Sequence, residues 1–196
     1  MADPDGATPL DPDEIEGIRV RHIATRQELD ELEQANIQDG LLWLARQRNP
    51  DVLSEDFIRR LHRQMFGQVW RWAGTFRRVD KNIGVDWRHI APDLRTLLHD
   101  TRYWIEHQTY GVDEIAARFH HRLVWIHPFP NGNGRLARIA TDVLMEKLLN
   151  GAAIDWTGGN YLHAIGPRRR AYIAALRAAD GHDIGPLLAF IRPASI

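Results

Sequence analysis

Apolar residues recur at intervals of three and four along most of the chain, a spacing that predicts amphipathic α-helices. Thr25 and Glu28 spell a capping box at the start of the first helix, because the hydroxyl and the carboxylate can each satisfy a backbone N–H. The apolar pattern continues to about Gln47 and ends before Pro50. Gly40 is expected to weaken this helix locally.

Later helices are predicted from caps, prolines and further apolar stripes. Ser54 is a suitable N-cap for the second helix, Pro92 suits the first turn of the third, and Asp113 is expected to cap the fourth. The fourth ends at His127, because Pro128 disfavours helical geometry in the residue before it. The remaining helices are expected to begin at about Gly134, Pro167 and Pro186.

Residues 75–90 break the helical pattern. Strand-like runs on either side of a Lys-Asn-Ile-Gly turn predict a β-hairpin. A lone hairpin is marginal in water, so it must pack on the helices or on a ligand. Residues 1–14 are rich in Asp, Pro, Gly and Ala and are expected to lack fixed structure in part. The predicted fold class is therefore all-α with one small hairpin.

Composition narrows the class of protein. The chain has 196 residues, 44% of them hydrophobic, which suits one domain with a buried core or a domain with a helical extension. The net charge of −1 gives no global basic field, so neither nucleic acid nor an anionic membrane is expected as a partner. Cysteine is absent, which excludes disulfides and a cysteine nucleophile. The chain has no apolar run of the roughly 18 residues that a membrane helix needs, and its N-terminus is acidic. A cytoplasmic protein is therefore expected.

The stretch from His127 to Arg138, HPFPNGNGRLAR, concentrates the chemistry. Histidine moves a proton easily near neutral pH, glycines let backbone N–H groups approach an anion, and arginines bind phosphate oxygens. Arg135 and Arg138 lie three apart in the first turn of a helix, where two cations are unfavourable unless an anion offsets them. The pattern predicts a polyphosphate site beside a general base.

HPFPNGNGR followed by Arg138 resembles the signature of the Fic family, His-x-Phe-x-Asp/Glu-Gly-Asn-Gly-Arg-x-x-Arg. The resemblance spans roughly residues 54–190. It includes two further groups of residues, which are similar to the lead into the family's flap hairpin and to its C-terminal helix. These are Trp72, Ala73, Gly74, Arg77, Ile83 and Gly84, and Arg169, Tyr172, Ala175 and Leu176. The resemblance implies a helical Fic-type bundle.

The resemblance also implies an activity, the transfer of AMP from ATP to a hydroxyl of a target protein. His127 would then deprotonate that hydroxyl, and Phe129 would anchor the loop in the core. The hairpin of residues 77–89, here called the flap, would bind the target protein by strand-like pairing. The nucleotide phosphates would be bound by Gly132, Asn133, Gly134, Arg135 and Arg138. Trp156, Asn160 and Tyr161 are candidates to line an adenine pocket.

Asn131 stands where the family usually has Asp or Glu as a Mg²⁺ ligand. An amide oxygen brings no charge, so weaker Mg²⁺ binding is expected. Two alternatives to AMP transfer therefore stay open. One is transfer of another phosphate group, as in a kinase. The other is a catalytically silent module that binds nucleotide or acts in a toxin–antitoxin-type interaction.

The N-terminal segment suggests a second role. Many Fic proteins carry an inhibitory segment, Ser/Thr-x-x-x-Glu-Gly/Asn, whose Glu pairs with the second arginine of the signature. Here Glu16 and Gly17 are present, but Pro12 stands at the Ser/Thr position. Glu16 is therefore a candidate to pair with Arg138, and the alternative is a solvated acid. Residues 1–50 form an N-terminal segment and helix that could inhibit residues 51–196, the Fic-like catalytic domain. A homo-oligomer is left open.

Overall fold

The computed structural model describes residues 12–20, 25–156 and 166–192. Residues 1–11, most of the segment expected to lack fixed structure, lie outside this range. Within it, Trp87–His89 form a 3₁₀ turn. The helices are α1 (Pro12–Ile15), α2 (Arg26–Ala45), α3 (Glu55–Phe66), α4 (Ile90–Glu106), α5 (Val112–Ile126), α6 (Asn133–Lys147), α7 (Pro167–Asp180) and α8 (Gly185–Ile191).

The predicted helix starts are largely confirmed. Both halves of the capping box form, with the Glu28 N–H donating to Thr25 Oγ1 at 3.2 Å and the Thr25 N–H to the Glu28 carboxylate at 2.9 Å. Ser54 caps α3 by accepting the Phe57 N–H at 3.1 Å. The Asp113 cap was wrong, since Gly111 is the N-cap of α5 and Asp113 lies in its first turn. In this first turn the Asp113 carboxylate is still stabilised by the positive end of the helix dipole.

Two adjoining clusters of buried side chains form the core. The larger lies among α3, α4, α5 and α6, with α2 packed against α3, and includes Leu61, Leu94, Leu123 and Leu136, all fully buried. The smaller joins α5 to α7 and α8. Each such leucine contributes about 1.5–3 kcal/mol relative to an exposed one. The loop between α5 and α6, which holds the signature residues, therefore starts and ends on buried helices.

The predicted β-hairpin is not seen. Residues 75–86 contain no strand, and the pairing found among the described residues is an isolated antiparallel bridge between Ile18 and Trp70. The Arg77 guanidinium accounts for the difference, because it binds the carbonyls of Val79 and Val85, groups that a ladder across the turn would use. The flap is thus a loop, and the Arg77 side chain binds it at both ends of the turn.

Candidate active site

α5 ends at Ile126, and His127 takes a left-handed backbone conformation, with φ of 52°. Pro128 explains why the helix stops, since it disfavours helical geometry before it. A left-handed histidine costs roughly 1–2 kcal/mol, so the surrounding contacts must hold it. The conformation turns the chain sharply and leaves His127 at the lip of the loop, 5% exposed.

Arg77 provides one of the contacts that hold His127 in this conformation. Its buried guanidinium donates from Nε to the His127 carbonyl at 2.8 Å and from Nη1 to the Val79 carbonyl at 2.8 Å, and Nη2 also binds the Val85 carbonyl. A cation at the C-terminal end of α5 is favoured by the helix dipole. One side chain therefore ties the flap to the backbone of the candidate base.

The flap lies directly on His127. Gly84 has φ of +102°, and a Cβ there would come within 2.6 Å of His127 Cβ. Burial, assisted by the nearby cations of Arg77 and Lys81, lowers the pKa of His127 to about 4, against the opposing effect of a backbone hydrogen bond at Val124. The imidazole is neutral at pH 7 and has a lone pair for a proton.

Asn133 closes the loop. Its Oδ1 accepts the Phe129 N–H at 2.9 Å, and its Nδ2 donates to the Phe129 carbonyl at 2.8 Å. Phe129 is fully buried. The Asn133 side chain therefore faces inward, so any contact with an anion at this position must come from its backbone N–H.

Gly132 is the N-cap of α6, with φ of +80°, and none of the described side chains caps the helix. A Cβ at Gly132 would lie 2.7 Å from the Phe66 ring, so only glycine fits without displacing that ring. The N–H groups of a first turn have no partner within their helix, and together with the helix dipole they favour an anion.

Arg135, in that first turn, is already paired. Its Nη1 lies 2.6 Å from Glu33 Oε2, and Glu33 Oε1 accepts the Trp70 indole N–H at 2.6 Å. Glu33 is 5% exposed. Sequence reading missed this acid, although a signal exists: Glu33 lies on the buried stripe of α2, between Leu29 and Ile37.

Arg138 contacts a different helix, α7. Its guanidinium lies 5.9 Å from the centre of the Tyr172 ring, and the Tyr172 hydroxyl is 2.8 Å from His120 Nε2. His120 Nδ1 is 3.3 Å from Thr141 Oγ1, whose hydroxyl donates to the Ala137 carbonyl at 2.7 Å. The two arginines are thus fixed by different elements, Arg135 from α2 and Arg138 from α7.

The remaining candidates are Asn131, the expected metal ligand, and Glu16, the expected inhibitory acid. Asn131 Oδ1 accepts the Gly132 N–H at 2.6 Å, so one lone pair of the proposed metal ligand is already used. Glu16 is exposed, so its pairing with Arg138 stays a prediction. Its neighbour Glu14 instead forms an ion pair with Lys81 of the flap at 2.6 Å.

The candidate adenine pocket is only partly described. Trp156 is buried, and its ring packs 4.3 Å from the His120 ring. Its indole N–H donates to Asp142 Oδ1 at 2.9 Å. Asn160 and Tyr161 lie outside the described residues. Trp156 thus packs in the core beside the group that fixes Arg138.

Residues 52–145, which hold α3 to most of α6, match the model of the Fic/DOC family. The chain belongs to the Fic/DOC family. It is 35% identical over 150 residues to the proteins named protein adenylyltransferase Fic of Drosophila sechellia and Drosophila melanogaster, with 72% of this chain matched. It spans only 27% of those relatives' length.

Solved structures share the Fic fold. A BepC protein from Bartonella tribocorum with bound AMPPNP is similar with a TM-score of 0.66 at 17% identity, covering 86% of this chain and 87% of that one. Fic-1 from C. elegans gives a TM-score of 0.66 at 23% identity and covers 90% of this chain and 51% of that one. None of the helices described here is long and apolar enough to cross a membrane.

Proposed function

We propose that this protein transfers AMP from ATP to a hydroxyl of a target protein. One observation carries the proposal: the buried, neutral His127 lies at one end of a short loop whose other end is the N-terminus of α6, which no described side chain caps, with Arg135 and Arg138 in the first turns. A base and a polyphosphate cradle are then held by the same loop. The relatives named protein adenylyltransferase support the same reading.

In the proposed reaction the hydroxyl oxygen attacks the α-phosphorus of ATP and its proton passes to His127. The bond from the α-phosphorus to the bridging oxygen breaks, and pyrophosphate leaves with the β- and γ-phosphates. Arg135, Arg138 and the N–H groups of α6 would neutralise the charge that develops on the leaving group. Nucleotide charge beside His127 would also raise its pKa from about 4 toward the range of an effective base.

The target protein would bind along the flap. Val79 and Ile83 are exposed apolar side chains of this segment, at 48% and 38%. An extended target segment could pair with flap backbone, as in β-augmentation. Because Gly84 lies against His127, a target segment paired with the flap would be held beside this residue.

Mg²⁺ fits this site only as a companion of the nucleotide. No group of three or more His, Asp or Glu side chains among the described residues could hold a metal. Asn131 would offer at most a neutral amide oxygen that also accepts the Gly132 N–H. Mg²⁺ commonly binds through substrate phosphates and one or two carboxylates. The ion would neutralise charge on the phosphates, and the Asn131 amide oxygen would help to hold it.

The test uses ATP labelled separately at the α- and γ-phosphate, with the purified protein and a cell lysate as the source of acceptor proteins. Label from the α-phosphate appears on protein if AMP is transferred. Replacing His127 with Ala is expected to lower that transfer by about 10²–10⁴-fold, the usual contribution of a general base, while ATP binding is retained. Transfer of γ-label would indicate a kinase, the alternative that Asn131 leaves open. Full transfer by the His127→Ala protein would exclude the base role.

A further inference from the structure

His62 lies on α3 beneath the loop between α5 and α6, and its imidazole is fully buried. One ring nitrogen, Nε2, is 3.0 Å from the backbone oxygen of Asn131. The other, Nδ1, is 3.0 Å from the backbone nitrogen of Gly74, just before the flap. The ring therefore bridges the phosphate-binding loop and the lead into the flap.

The two backbone partners define the protonation of the ring. A backbone N–H can only donate, so Nδ1 accepts the hydrogen bond from Gly74. A carbonyl oxygen can only accept, so Nε2 carries the proton and donates to Asn131. Burial, with help from the Arg135 cation, lowers the pKa of His62 to about 3 and keeps this neutral form at pH 7.

Packing leaves the loop little freedom above His62. The imidazole stacks on Phe129, with ring centres 3.8 Å apart and planes 20° from parallel. A Cβ at Gly132 would lie 3.3 Å from His62 Nε2 and 2.7 Å from the Phe66 ring. The distance of the loop from α3 is thus set by two side chains of that helix.

We propose that His62 is a positioning residue of the transfer site. Its hydrogen bond to Asn131 holds the loop where the N-terminus of α6 can meet the phosphates, and the bond from Gly74 fixes the lead into the flap that covers His127. This role rests on the proposed function, since the loop is taken as the phosphate site. His62 lies outside the family signature and itself touches no reacting atom.

Three substitutions separate the contacts. In His62→Gln an amide N–H replaces Nε2–H near the Asn131 carbonyl, and in His62→Asn an amide oxygen replaces Nδ1 near the Gly74 N–H. His62→Phe keeps the ring that stacks on Phe129 but neither hydrogen bond. Ile58→Val is the matched control, a buried change on the same helix that leaves these contacts in place.

The measurement is the affinity for AMPPNP by titration calorimetry, beside the unfolding free energy of each variant. His62→Phe and His62→Asn are expected to bind about tenfold more weakly, because a loop without its donor occupies the binding conformation in a smaller fraction of molecules. The affinity of His62→Gln for AMPPNP is expected to stay within about threefold of the wild-type value, since the hydrogen-bond donor to Asn131 is restored. Ile58→Val loses stability but keeps its affinity.

Two results would overturn the positioning role: unchanged affinity in His62→Phe and His62→Asn, or an affinity that follows unfolding free energy equally in all four variants. A wild-type protein that binds no AMPPNP would instead contradict the proposed function. The loop contact is then read from the amide NMR signals of Gly132 and Gly134. If His62 holds the loop, these signals move away from their wild-type positions in His62→Asn but keep them in His62→Gln. If His62 does not hold the loop, they keep their wild-type positions in both variants.

Discussion

In the proposed site, Arg135 would bind a phosphate only by sharing or leaving its ion pair with Glu33. The pair is short, at 2.6 Å, and the Glu33 carboxylate is buried beside the Trp70 indole. A hydrogen bond between charged groups contributes about 1.5–3 kcal/mol to stability. In the proposed function, part of the nucleotide's interaction with Arg135 would therefore be offset by the contact that it replaces.

Glu33→Gln is expected to tighten ATP binding by about three- to tenfold, because the neutral amide competes less for the Arg135 cation and can still accept the Trp70 N–H. Titration calorimetry measures the change. Glu31→Gln is the control, since it removes the same charge from an exposed position on the same helix. Weaker binding by Glu33→Gln would show that Glu33 orients Arg135 rather than competes for it.

At the scale of residues, the sequence located the contiguous parts of the candidate site and missed the residues that reach it from distant helices. His127, Arg135 and Arg138 stand within one loop and one helix start, so their spacing alone brings them together. Glu33 and His62 reach the same site from α2 and α3. Their contacts depend on how helices pack, which no local spacing specifies.

At the scale of elements, the contact between α2 and α3 depends on one glycine. A Cβ at Gly40 would lie 3.1 Å from both the backbone nitrogen and Cα of Met65. Sequence reading took Gly40 as a weakness of its helix, since glycine costs about 1 kcal/mol there relative to alanine. The structure supplies the compensation, a close approach of two helix backbones that brings Glu33 within reach of Arg135.

Gly40→Ala is therefore expected to lower the free energy of unfolding by about 1 kcal/mol, because overpacking against backbone costs about 1–3 kcal/mol and outweighs the gain in helix propensity. Urea unfolding measures it. Gln38→Ala, an exposed change in the same helix, controls for propensity alone. A Gly40→Ala protein more stable than the wild type would mean that α2 can move away from α3 at little cost.

The flap shows why elements could be predicted only in part. Helix starts such as Ser54 follow from short-range caps, so the sequence locates them well. The strand-like runs around residues 81–84 satisfied the local rule for a hairpin equally well. Their carbonyls at Val79 and Val85 are bound by Arg77, whose guanidinium also holds the end of α5. A tertiary contact overrode a local preference.

At the scale of the whole molecule, several titratable side chains in and around the candidate site are buried. Burial lowers the pKa of His62 and His120 to about 3 and that of His127 to about 4. An unfolded histidine titrates near 6.5, so each gains a proton on unfolding below that pH. Burial acts in the opposite direction on Asp142, whose pKa is raised to about 6, so this group releases a proton on unfolding between pH 6 and 4.

The stability of the fold is therefore expected to be fully present above pH 6.5 and to fall as the pH drops toward 4. Three histidines take up a proton on unfolding and Asp142 releases one, so the net uptake below pH 6 is about two protons. Since each proton corresponds to about 1.4 kcal/mol per pH unit, the unfolding free energy should fall by about 2–3 kcal/mol between pH 6 and 5. Urea unfolding across this range measures the slope.

His62→Gln, which lacks one of the histidines, should lower the slope by about 1.4 kcal/mol per pH unit. An equal slope in the two proteins would mean that His62 is charged within the fold, which its hydrogen bond from the Gly74 N–H does not allow.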